Sequence, residues 1–316
     1  MRFIFLLSIF LFCSQLFASV GVNLTFNRTV YMQFEPIYAC VSLRNDSGRA
    51  LLFGNNPKLQ GFVLFDVQDF KRRVIMKDEN KEISVTGLVI GPGEIKRMII
   101  PIHKYYNFDN LGTYKIRAFV SHNLLPHEYQ SPAREIRISP GVVEWKKTVG
   151  IPDVTGNEAG RVIKNRTYSI RTLMEKNYIF YYLVIEDNDR VYGVSRLGTQ
   201  IGRERYSVEV DMLSRIHLLM PVAPQVFHYL TFSIDGQNTE SSFWRTTDTI
   251  PMLHRDEVTG KVIRIGGAVA RPGIDFKDPN AGKVTASKIL EEEGIKPGSA
   301  PKPVRHRGLV DLGSGL

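Results

Sequence analysis

Punctuation constrains this chain more than composition does. From Val22 to Ile265 it is written in short runs rich in Val, Ile, Thr, Tyr and Phe, separated by clusters of Gly, Pro, Asn and Asp. Several runs alternate apolar and polar residues, which is the period of a half-buried strand. The stretch from Gly91 to Val120 states the grammar most fully. Gly91-Pro92-Gly93-Glu94 makes a tight turn and Ile95–Ile100 an apolar strand. Asn110-Leu111-Gly112-Thr113-Tyr114 then forms a corner, from which a second strand runs to Val120. The pattern predicts an all-β protein.

Residues 1–18 have the build of a secretory signal: Arg2 supplies the charge, Phe3–Phe12 the apolar core, and Leu16-Phe17-Ala18 a small residue for cleavage. No later window approaches the ~20 apolar residues of a membrane-spanning helix, so no transmembrane segment is expected after cleavage. The expected location is outside the cytoplasm, periplasmic or extracellular. Cys13 leaves with the signal and Cys40 stays alone, which rules out an internal disulfide. Cys40 lies in the alternating run Ile37–Leu43 and is expected to be buried. The net charge of +9 is spread among interleaved acids; Lys71-Arg72-Arg73, the one compact basic cluster, falls where a hairpin tip is expected. Export and the lack of an extended basic face with aromatics exclude nucleic acid as a partner.

Residues 19–140 form the first predicted domain. Its strands are Val22–Val30, Ile37–Leu43, Ala50–Phe53, Phe62–Val67, Val74–Met76, Ile83–Val89, Ile95–Ile102, Tyr114–Val120 and Arg134–Ile138. Asn45-Asp46-Ser47-Gly48 and Gly91-Pro92-Gly93 supply turn chemistry. Asn110-x-Gly112-x-Tyr114 is close to the Asp-x-Gly-x-Tyr corner of immunoglobulin-like domains, whose tyrosine hydroxyl bonds back to the corner it leaves. Asn110 replaces the acid, and no cysteine follows Tyr114 two residues on. Together with Phe34-Glu35-Pro36-Ile37, Leu43–Gly48 and Phe62–Phe70, these motifs resemble bacterial immunoglobulin-like modules of the intracellular proteinase inhibitor and macroglobulin types. The resemblance implies an N-terminal immunoglobulin-like β-sandwich, and its first family name implies proteinase inhibition. The export signal departs from an intracellular inhibitor.

After Ser139-Pro140-Gly141 the composition changes, and residues 141–276 read as a second antiparallel β domain, a sandwich or an open sheet. Its strands are Thr148–Ile151, Tyr168–Met174, Tyr178–Glu186, Val191–Leu197, Tyr206–Met212, Ile216–Met220, Phe227–Ile234, Ser242–Thr246 and Val262–Ile265. Asp187-Asn188-Asp189, Asp235-Gly236 and Thr259-Gly260 are turns between them. Residues 277–316 form a flexible tail, with a short helix over Val284–Glu293 stopped by Gly294.

The search for chemistry assigns no catalytic, cofactor-binding or metal-ligating residue. Gly193-Val194-Ser195-Arg196-Leu197-Gly198 places its second glycine one residue late for a nucleophile elbow. His122, His127 and Glu128 flank a loop but match no zinc spacing, and Pro126 forbids a helical site. His217 and His228 alternate with apolar residues and belong to sheet faces. Gly266-Gly267 and Gly260-Lys261 lack the remainder of a nucleotide motif. Asp187 with Asp189, and Asp256 with Glu257, sit in turns. The aromatics Tyr178, Phe180, Tyr181, Tyr182, Tyr192, Phe227, Tyr229, Phe232, Phe243 and Trp244 give the one binding signal, and strand alternation sends many of them inward. Sequons occur at Asn23, Asn27, Asn45 and Asn165. The sequence therefore reads as an exported, non-enzymatic binding or interaction protein of the cell envelope or exterior, without cofactor, whose partner is a protein or an envelope glycan. A proteinase inhibitor and a carbohydrate-binding or carbohydrate-active protein are the alternatives.

Overall fold

The computed structural model describes residues 19–54, 56–151, 164–277 and the pair 304–305. The expected signal peptide, with Cys13, and the expected helix over Val284–Glu293 lie outside the described residues. The chain is all-β with several antiparallel sheets. Its contacts divide it into two compact units. The first draws on residues up to Asn27, on Ala39–Tyr106 and on Lys115–Arg134; the second draws on Arg28–Tyr38, Asn107–Tyr114 and residues from Glu135 onward.

In the first unit, β1 (Val20–Phe26), β3 (Ala39–Asn45) and β7 (Ile95–Ile100) form an antiparallel sheet. Strand alternation puts Val20, Val22, Leu24, Ala39, Val41 and Leu43 on its buried face. Cys40 falls on the other face and is only half-buried, contrary to expectation, because Ala39 and Val41 on either side of it take the inward positions. β5 (Gly61–Gln68) pairs antiparallel with β8 (Gly112–His122), which also carries β9 (Tyr129–Gln130). Val63, Phe65, Val67, Ile116, Ala118 and Val120 are their buried residues. β4 (Leu51–Leu52) and β6 (Val89–Ile90) make a small pair. The predicted strand Val74–Met76 shrinks to a bridge between Val74 and Gln68, and Ile83–Val89 contributes only its last residue to β6. Apolar content misleads there: Ile83 is buried from a segment that lies in no sheet.

The second unit is a β-sandwich. β11 (Val142–Ile151), β12 (Lys164–Glu175), β13 (Tyr178–Glu186) and β14 (Arg190–Thr199), with the edge pair β22 (Val304–Arg305), make one antiparallel sheet. β15 (Ser207–Val210), β16 (Ile216–Ala223), β17 (Val226–Phe232), β18 (Asn238–Arg245) and β21 (Ala268–Val269) make the other. Tyr168, Ile170, Leu183, Ile185, Ile216, Leu218, Met220, Leu230 and Phe232 fill the space between them. Each sheet is also covered on its far side. β2 (Val30–Met32), paired in parallel with β10 (Arg134–Ser139), brings Met32 against Leu173, Tyr182, Val184 and Val191. On the opposite side lies a hairpin of β19 (Met252–Arg255) and β20 (Val262–Ile265). The sequence showed β20 but not β19, whose residues carry little β-branched or alternating character.

The Tyr114 corner closes as its motif predicts, with the hydroxyl donating to the Asn110 carbonyl at 2.7 Å from a ring that is 1% exposed. Cover over β13 is fixed by a buried ion pair. The Arg28 guanidinium meets Glu35 at 2.6 and 3.1 Å, donates to the Tyr182 hydroxyl at 2.7 Å and lies over the Tyr31 ring. Glu35 also accepts the Met32 amide, closing the turn in which Phe34 takes a positive φ of 65°. Removing one member of such a pair strands the other charge away from water, whereas an apolar replacement of both does not. Glu35→Leu is expected to cost about 3–5 kcal/mol in urea unfolding of the mature chain, and Arg28→Met with Glu35→Leu to recover much of it. A loss below ~1 kcal/mol for the single variant would show that this cover is not held by the pair.

Candidate functional site

Alternation assigns the two faces of the β15–β18 sheet. Ile216, Leu218 and Met220 of β16 point into the sandwich core, so His217 and Leu219 point outward. The register then builds three rows on the outer face: His217–Thr231–Glu240, Leu219–Tyr229–Ser242 and Pro221–Phe227–Trp244. The β19–β20 hairpin roofs this face, with Leu253 and Val262 packed among Leu219, Phe227, Tyr229 and Trp244. Arg264 is the cross-strand partner of Leu253. A cavity of about 420 Å³ opens beneath, lined by Arg215, His217, Tyr229, Glu240, Trp244 and Arg264, with Thr231 and Thr239.

The floor is a hydrogen-bonded chain. His217 Nε2 lies 3.2 Å from Asp211 Oδ2, and Nδ1 lies 2.7 Å from the Tyr229 hydroxyl. Burial pushes the Asp211 carboxyl up, but the Arg215 amide, His217 and the Arg215 guanidinium outweigh it and hold it below its ordinary value. Burial lowers His217 against the opposing pull of Asp211, and raises Tyr229. At neutral pH the chain therefore runs from an ionised Asp211, through a neutral imidazole whose Nε2–H donates to it, to a Tyr229 hydroxyl donating to Nδ1.

Much of what surrounds Asp211 is turn chemistry. The amides of Leu213 and Arg215 and the Arg215 Nε all bond the Asp211 carboxylate, while the Ser214 amide reaches the Asp211 carbonyl. Asp69 does the same at the first unit's hairpin tip, with the amides of Lys71 and Arg73, the Arg73 Nε and the Arg72 amide. Arg72 and Ser214, equivalent positions, take φ of 61° and 60°. What distinguishes Asp211 is His217. Arg264 is the other cationic wall: it lies 4.1 Å from the Tyr229 ring centroid and 4.9 Å from that of Trp244, bound to Glu240 at 2.6 Å.

The remaining sequence candidates do not gather. Ser195 is a β14 residue opposite Leu183. His122 is buried, its Nε2 3.0 Å from the Leu52 carbonyl and its Nδ1 accepting the Leu124 amide. Asp187 and Asp256 accept backbone amides in their turns. Tyr181 packs edge-on against Tyr206 and Tyr182 bonds Arg28, so neither reaches the cavity. The Asn45 amide is fully buried and donates to the carbonyls of Arg49, Ile90 and Gly91, which leaves that sequon no accessible nitrogen; Asn23, Asn27 and Asn165 are exposed. Among the described residues, no group of three or more His, Cys, Asp or Glu side chains is placed to hold a metal ion, and no helix is long and apolar enough to cross a membrane. Sequence reading missed Arg215, Glu240 and Arg264, because the partners that make them a site lie on other strands. No protein-family model matches the chain, and no curated protein or solved structure is significantly similar to it.

His228 gives the sheet a measurable pH signature. It stacks on Phe243 at 4.2 Å, and burial pushes its pKa down to about 4. Between pH ~6.5 and about 4 the unfolded chain binds a proton that the folded chain refuses, so stability falls as pH falls through that window. His217, also lowered, acts in the same direction. Discounted for partial exposure, the His228 loss is expected to be about 1–2 kcal/mol between pH 7 and 4. His228→Gln should flatten that part of the slope in urea unfolding across the range, and an unchanged slope would contradict the assignment.

Proposed function

We propose that this chain is an exported, non-enzymatic binding protein of the cell envelope or exterior, and that the roofed cavity of the second unit holds its ligand, a glycan. The observation that carries this reading is the composition of the wall. Hydroxyls from Tyr229, Thr231 and Thr239, two guanidiniums and the Glu240 carboxylate surround one cavity on a floor that includes Trp244. Its volume lies in the range of small-ligand sites, and convergent polar groups on a rigid aromatic floor suit a ligand covered in hydroxyls. Binding is favoured over turnover because each acid is already engaged, Asp211 as a turn carboxylate paired with Arg215 and Glu240 paired with Arg264. Export rests on the character of residues 1–18. The Asn45 corner and the Tyr114 hydroxyl contact support the likeness of the N-terminal half to an immunoglobulin-like interaction module.

The test is a glycan array and calorimetry with the mature chain at neutral pH. A defined glycan is expected to bind, with affinity reduced at least about tenfold by Trp244→Ala in protein that circular dichroism shows to be folded. Binding undiminished by Trp244→Ala removes the site from this cavity. Turnover of the bound glycan contradicts the non-enzymatic reading, and the absence of any glycan binding contradicts the ligand class.

A further inference from the structure

The two arginines of the cavity are used differently. Arg215 spends its side edge on Asp211 Oδ2, Nε at 2.8 Å and Nη2 at 2.7 Å, as Arg73 does on Asp69. Arg264 commits only Nη1, at 2.6 Å to Glu240 Oε1 and 3.3 Å to Ser242 Oγ. Its Nε and Nη2 have no protein partner among the described residues, although the side chain is only 27% exposed. The guanidinium carbon lies 4.1 Å from the Tyr229 ring centroid and 4.9 Å from that of Trp244, which anchors the side chain at the cavity wall. A guanidinium reaches a ligand through its edge, and the Nε/Nη2 edge carries two parallel N–H groups at the spacing of a carboxylate's oxygens.

We propose that the ligand is an acidic glycan and that a uronic acid carboxylate binds side-on to Nε and Nη2 of Arg264. This inference rests on the reading of the cavity as a glycan site. Arg264 would then bridge two carboxylates, Glu240 on one edge and the ligand on the other. Formal charge in the wall is already balanced by the Arg215–Asp211 and Arg264–Glu240 pairs, so directed hydrogen bonds rather than net charge select the ligand. Neutralising Glu240 while keeping its bond to Arg264 removes a like charge beside the ligand carboxylate and strengthens the site, and replacing the fork of Arg264 by an ammonium removes the side-on geometry.

Calorimetry with oligogalacturonate and oligoglucuronate, each beside its carboxyl-reduced form, tests this on the full mature chain. One acidic oligomer is expected to bind at least about tenfold tighter than its reduced form. Arg264→Lys should erase that preference, and Glu240→Gln should raise the ratio of acidic to reduced-form affinity several-fold. The glutamine variant keeps the hydrogen bond to Arg264 and so guards against a result that merely reflects misfolding. Equal or tighter binding of the reduced forms overturns the carboxylate assignment and leaves the glycan reading standing. An acidic preference that survives Arg264→Lys moves the contact elsewhere. Failure of every form to bind overturns the uronic acid assignment, and the glycan reading is then decided by the array.

Discussion

Backbone polar groups at strand corners need partners, and a chain with no α-helix and no disulfide among its described residues finds them in side-chain oxygens and amides. Asn45 answers three carbonyls with one nitrogen and accepts from Ser47 with its oxygen, tying the Asn45–Gly48 corner to the Gly91–Glu94 turn. Glu94 closes that turn through the Gly91 amide. Asp69, Asp187, Asp211 and Asp256 each take two backbone amides in the same manner. A buried donor or acceptor left unmet costs about 1–3 kcal/mol, so the placement of these groups decides which residues can turn the chain and which strands become neighbours.

The same bookkeeping changes the meaning of the positive net charge. Two arginines are internal rather than presented to a partner: Arg28 over Tyr31, and Arg166 at 3.2 Å from the Tyr192 centroid. A guanidinium is weakly hydrated and planar, so an aromatic face recovers part of what it loses on leaving water, and a carboxylate recovers more. Arg28 has Glu35 and Arg166 has Asp187. Net charge counted along the sequence treats these groups as surface, and so overstates the basic surface offered to an anionic polymer.

Strands and corners were legible because their signals are local. Alternation found Ala39–Asn45, Gly61–Gln68 and Tyr178–Glu186 to within a few residues, and turn residues found the Asp187 and Asp235 corners. The failures share one cause. Val74–Met76 and Ile83–Val89 have strand composition but meet almost no pairing partner, while Met252–Arg255 lacks the composition and pairs with Val262–Ile265. Pairing is decided by distant sequence and outweighs local preference. The site is illegible for the same reason. His217, Thr231 and Glu240 form a row only through the register of three strands, and Arg264 joins them from a hairpin that packs on that face.

Corner chemistry also sets the shape of the cavity. The turn that fixes the Asp211 carboxylate presents the Met212 amide to the Gly260 carbonyl at 3.1 Å, which anchors the tip of the roofing hairpin. Gly260 sits at a φ of 61°, which glycine adopts without strain, and a Cβ there would lie 3.0 Å from Met212 Cβ and press on the anchor. Asp256 completes the tip through the Thr259 amide and hydroxyl. One five-residue turn, Asp211–Arg215, thus orients His217 beneath the cavity and fixes the height of Arg264 above it. A change to that turn would alter the floor and the roof together, whereas a change in the equivalent Asp69 turn of the first unit would alter only a hairpin tip.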